Sequence, residues 1–148
     1  LREENGGFSV PEDWGRSENR GFPREYFETR FHLDSPAKFW PVSFVIITAW
    51  QTTGCRWPML VNQQSDRLLL DWLRGTGQRP IRLTGYSPVT GHAEPGWAVD
   101  LPLLAGLRLG QAFRQDAVYW VQLDELIIVR CASPWRQQRA GSFRERLG

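Results

Sequence analysis

Lysine is all but absent from this chain. Lys38 is the only one, so arginine supplies nearly all of the 18 basic residues, against 16 acidic ones, for a net charge of +2. So small an excess argues against nucleic acid as the partner, because phosphate-backbone affinity grows with the number of cations presented. Cysteine is scarce too. Cys55 and Cys131 stand far apart with no CxxC pair, which rules out a disulfide framework or a zinc site read from spacing and points to a reduced, cytoplasmic setting. The two histidines, His32 and His92, show no metal-ligand spacing, so no metal and no cofactor is expected. No apolar run approaches the roughly 18 residues that span a bilayer. The first ten residues, charged and glycine-containing, do not read as a signal peptide. The Walker, GxGxxG, GxSxG and HExxH motifs are all missing.

What is present is a core of moderate size. The 148 residues are 41% hydrophobic, enough for one domain. The longest apolar run, Ser43 to Gln51, is rich in Val and Ile and lacks Gly and Pro, as expected of a central strand buried on both faces. Glu25 to Leu33 alternates and predicts a half-buried strand. A helix is expected from Asn62 to Leu73, with Asn62 as N-cap and Val61, Ser65, Leu68, Leu69, Trp72 and Leu73 on its inner stripe. Pro80 to Tyr86 and Trp97 to Leu101 read as short strands flanking a loop. A second helix from Leu101 to Arg114 has Asp100 as N-cap, and Gly106 and Gly110, four apart, would let it approach the sheet closely. Ala117 to Leu123 and Leu126 to Cys131 form a last hairpin that lacks the usual Asn-Gly or Asp-Gly turn. The order ββαββαββ predicts a single α+β domain, a mainly antiparallel sheet of about six strands with both helices on one face. Residues 1–22 read as a polar arm, 23–132 as the core and 133–148 as a basic C-terminal tail.

Polar residues gather at the ends of these elements. Thr48 and Gln51 close the central strand, Asn62 opens the first helix, Glu94 and Trp97 precede a strand, and Gln115 follows the second helix. Gln51 and Asn62 suit an amide or base edge. Glu94 suits a ligand's amine or hydroxyl, or the work of a general acid or base, and Trp97 offers a stacking face. Capping and backbone satisfaction explain each of these singly. Of the eight tryptophans, Trp50, Trp72 and Trp120 are expected in the core. Trp14 in the arm, with Trp135, Arg136 and Arg139 in the tail, are residue types that anchor protein interfaces.

Ile47-Thr48-Ala49-Trp50-Gln51, Asn62 with its Leu-rich helix, Glu94-Pro95-Gly96-Trp97 and Gln115-Asp116-Ala117 together resemble the pattern of a bacterial family described only as a domain of unknown function. The resemblance covers about residues 26–131. Gln51 stands where that pattern has Asn, and Gly96 where it has Ser. The resemblance locates a site without implying an activity, cofactor or partner. Two readings follow. The first is an intracellular accessory module that docks on another protein through its Trp- and Arg-containing arms. The alternative is a domain, enzymatic or not, that binds a small metabolite or nucleotide at the ends of the central strand and helices.

Overall fold

The computed structural model describes residues 21–37, 39–51, 56–132 and 135–148. Phe8, Trp14 and Cys55 lie outside them. The elements run α1 (Arg24–Glu28), β1 (Arg30–Leu33), β2 (Ser43–Ile47), α2 (Met59–Gly75), β3 (Ile81–Tyr86), β4 (Ala93–Val99), α3 (Leu103–Ala112), β5 (Ala117–Gln122), β6 (Glu125–Arg130) and β7 (Gln137–Ser142), then a 3-10 turn at Arg144–Arg146. All seven strands join one antiparallel sheet in the order β1-β3-β4-β2-β5-β6-β7. The architecture is α+β, with one strand and one helix more than the pattern predicted.

The Ser43–Gln51 run is central. β2 lies between β4 and β5, and Phe44, Val45, Ile46 and Ile47 are all buried. Because strand side chains alternate, Phe44 and Ile46 enter one core, with Phe31, Leu83, Tyr119, Val121, Leu126 and Ile128. Val45 and Ile47 enter the other, with Leu69, Leu73, Val99, Leu107, Leu109, Val118 and Val129. The helices α2 and α3 cover this second, outer face. Gly106 and Gly110 make that possible: an added Cβ would come to 2.9 Å from Val45 Cγ2 and 2.5 Å from Cys131 Sγ. Burial pushes the Cys131 thiol up to about 12, which keeps it unreactive.

The sheet curls over the first, inner core. Leu147 bridges to Phe31 of β1, the Gly148 N–H donates to Phe31 O at 2.9 Å, and the Arg30 guanidinium donates to Leu147 O at 3.1 Å. The C-terminal segment thus ties β1 to the strand at the opposite edge of the sheet. One end of the curl is plugged by aromatics: Trp40 stacks on Phe44 at 5.3 Å, and the Phe143 ring meets both at 5.0 and 5.3 Å. Such pairs add about 0.5–1.5 kcal/mol each beyond burial.

Four expectations are corrected. Residues 137–142 of the tail are strand β7, paired with β6, because Ala140 and Phe143 supply apolar groups to the inner core. Glu25–Leu33 is not one strand: Pro23 precedes the short helix α1, Pro being favoured at helix starts, and only Arg30–Leu33 pairs in the sheet. The helix α2 begins at Met59, so Asn62 lies within it rather than capping it. Its inner stripe is Asn62, Asp66, Leu69 and Leu73, rotated from the apolar one, which leaves Val61 and Leu68 exposed and Trp72 49% exposed. Two polar members hold that rotation. Asp66 takes a two-pronged contact from Arg82 at 2.9 and 3.0 Å, and Asn62 reaches Gln51. Likewise α3 begins at Leu103 behind Pro102, with no cap bond from Asp100.

Candidate functional site

At the end opposite the aromatic plug, the inner face holds a cavity of about 400 Å³. Its wall is Phe31, Ile46, Leu83, Ala117 and Tyr119. α1 bounds one side with Glu25 and Tyr26, and the polar rim includes Thr48, Gln51, Ser87, His92, Glu94 and Gln115. Among the described residues no Arg or Lys lines it.

The β3–β4 hairpin places the titratable pair. Ser87 Oγ accepts from the Val89 and Thr90 N–H groups, the Ser87 N–H donates to His92 O, and Gly91 takes a φ of 79°, where glycine is favoured. This tight loop starts β4 at Ala93, so His92 and Glu94, two apart, share a face. His92 Nε2 lies 2.7 Å from Glu94 Oε2, with the Glu94 side chain 27% exposed and the histidine nearer solvent. Oε1 of Glu94 receives no donor from the described residues.

Two amides complete the rim. Arg114 adopts a left-handed φ of 61° behind α3, which turns Gln115 back over the cavity. Gln115 Nε2 donates to Trp50 O at 2.9 Å and Phe113 O at 3.1 Å, leaving its Oε1 as the outward acceptor. Gln51 is oriented the other way: its Oε1 accepts from the Trp57 N–H at 3.1 Å and Asn62 Nδ2 at 3.3 Å, leaving Nε2 as the group it presents. Thr48 is already engaged. Its hydroxyl donates to Pro95 O at 2.7 Å and accepts from the Trp50 N–H at 3.0 Å, bracing β2 against β4. Tyr119 forms the floor. Its hydroxyl donates to Tyr26 O at 2.6 Å, pinning α1, and burial drives its ionisation far above the ordinary tyrosine range, so it stays a neutral phenol.

The structure therefore brings Thr48, Gln51, Glu94 and Gln115 to one cavity. Asn62 stands behind Gln51 and does not line it; it is 2% exposed and its Oδ1 has no partner among the described residues. Trp97 lies elsewhere, on the outer face. Its Nε1 donates to Asp66 at 3.1 Å and Arg82 covers its ring at 4.3 Å, so its stacking surface is already used. A Cβ at residue 96 would meet Ile47 O at 2.8 Å, so a serine there would displace β2. In the C-terminal segment Trp135 is 40% exposed, Arg139 pairs with Glu125 at 2.9 Å, and Arg136 is 3% exposed.

In the sequence His92 lies beside Glu94, but residues 87–96 read as loop, so the two are not placed on one face. The His-x-Glu spacing was the usable signal once β4 begins at Ala93. Tyr26 and Tyr119 carried no signal beyond their apolar neighbours. Among the described residues no group of three His, Cys, Asp or Glu side chains is placed to hold a metal ion, and no helix is long and apolar enough to cross a membrane.

No curated protein matches the chain. Residues 47–118 run from the end of β2 to the start of β5 and carry Thr48, Gln51, Asn62, Glu94 and Gln115; this stretch matches a family described as "Protein of unknown function (DUF3293)", which bears out the resemblance to a family of unknown function.

Proposed function

We propose that this domain binds a small organic molecule in the inner-face cavity. One observation carries the reading. Four polar residues from three separate places in the chain (Thr48 and Gln51, Glu94, and Gln115) meet at one cavity of about 400 Å³, a size in the range of small-ligand sites. Burial of an apolar body against Phe31, Leu83 and Tyr119 supplies affinity, and Glu94 and the two amides supply orientation. With His92 at 2.7 Å, Glu94 belongs to a pair able to pass a proton, which is what a general acid or base requires. The test is a thermal-shift screen of metabolites on the wild type and on Ala117→Leu, whose added methylenes occupy the cavity. A ligand at 100 times its Kd adds about 2.7 kcal/mol of stability. Hits that stabilise the wild type and not Ala117→Leu support the reading; hits that shift both equally refute it.

The accessory-module reading has a separate support: α2 keeps Leu60, Leu68 and Trp72 exposed along its length. Its expected outcome is that a photocrosslinker at Leu68, in the native cell, gives one discrete protein adduct. A smear, or no adduct, counts against it.

A further inference from the structure

Resting on the cavity reading, we infer that the ligand is a small organic cation, a primary amine or guanidinium carried on an apolar body. In a chain with 18 basic and 16 acidic residues, the cavity takes Glu25 and Glu94 and, among the described residues, no Arg or Lys. The hydrogen bonds sharpen the bias. Gln115 spends its NH2 group on two backbone carbonyls, which leaves its Oε1, like Glu94 Oε1, without a donor from the described residues, and both residues line the cavity. The Thr48 hydroxyl proton is committed to Pro95 O. Against these acceptors the rim presents the Gln51 amide, and the group paired with Glu94 is the more exposed His92. An ammonium reaching Glu94 Oε1 gains a charge-assisted hydrogen bond in a half-buried place, where attraction is stronger than in water. The aromatic side chains of Tyr26, Phe31 and Tyr119 line the remaining space and favour the apolar body attached to the cation. A phosphate would meet carboxylates here, with no guanidinium lining the cavity among the described residues, which disfavours nucleotides.

The probes are phenethylamine, 2-phenylethanol and phenylacetate, matched in shape and differing in charge, titrated calorimetrically into the full chain. The amine is expected to bind at least tenfold tighter than the alcohol, and phenylacetate weakest. Glu94→Gln is expected to abolish the amine's advantage while leaving the alcohol within about twofold. The wild-type ranking needs no variant, so the test survives a Glu94→Gln protein that fails to fold. If the alcohol or phenylacetate equals the amine on the wild type, the charge inference falls and the cavity reading stands. If none of the three binds, the inference also falls, and the cavity reading is then decided by the metabolite screen on wild type and Ala117→Leu.

Discussion

The outer face of the sheet is covered by two helices, one of which, α3, comes so close at Gly106 and Gly110 that a single added carbon would collide. The inner face, built from the same strands, is covered by a five-residue helix and the sheet's own curl, and its open end is left unfilled. The outer core is nearly all aliphatic, whereas the inner core is aromatic at one end and hydrogen-bonding at the other. Close packing maximises stability but leaves nothing for a ligand. Holding a cavity open forgoes dispersion contacts, and the inner face does so where polar groups from α3, β2 and β4 converge. The face that stabilises the fold and the face with room for chemistry are therefore opposite sides of one sheet.

The strongest way to break this contrast is a matched pair of truncations. Leu69 belongs to the outer core, Leu83 lines the cavity, and both are 0% exposed. Leu69→Ala is expected to cost about 3 kcal/mol, within the usual 2–5. Leu83→Ala should cost less, since it enlarges a space that already exists. Urea unfolding at equal m-values decides it, and equal or reversed losses would remove the distinction.

A gentler pair adds atoms instead. Gly110→Ala should cost about 1–3 kcal/mol by overpacking against Cys131. Gly85→Ala, whose nearest neighbour on the inner side is Thr29 Cγ2 at 3.3 Å, should stay within about 1 kcal/mol in the same measurement.

The smallest expected effect concerns the seam that closes the curl. Asp124 accepts from the Ser142 hydroxyl and, at 2.9 Å, from the Arg144 N–H, and these bonds, the first foremost, hold its carboxyl below the ordinary range. A depressed folded-state pKa contributes stability above the unfolded value, and that contribution is lost as pH falls through the folded one. Asp124→Asn should therefore cost about 0.5–1 kcal/mol at pH 7, with the difference from wild type shrinking below about pH 4. A gap that is constant with pH would show that the charge is not what matters.

Much of this fold was legible where apolar pattern and buried face coincide. Ser43–Ile47 is central because every residue from Phe44 to Ile47 is apolar, and Gly106 and Gly110 marked the closest helix approach. Legibility failed where a polar residue faces inward. Asn62 and Asp66 turn α2 about its axis through bonds to Gln51, Arg82 and Trp97, partners far off in sequence. It failed again at β7, whose sequence Gln-Gln-Arg-Ala-Gly-Ser has no strand character and is placed by its pairing with β6 and by Ala140 in the inner core. The turn at Leu123 has a left-handed φ of 60° on a residue 77% exposed, a conformation that no local propensity would suggest for leucine. Of the site, element ends gave Thr48, Gln51, Glu94 and Gln115. That they converge, and that Trp97 points to the other face, depends on strand registers that span the whole chain.

The measurement that bears most directly on the central claim is an amide chemical-shift map of the full chain titrated with phenethylamine. The account predicts that the perturbed amides cluster on the inner face at the open end, around Thr48, Gly85, Glu94 and Gln115. Perturbation confined to the outer groove beside Val61, Leu68 and Phe113, or none at all, would contradict it.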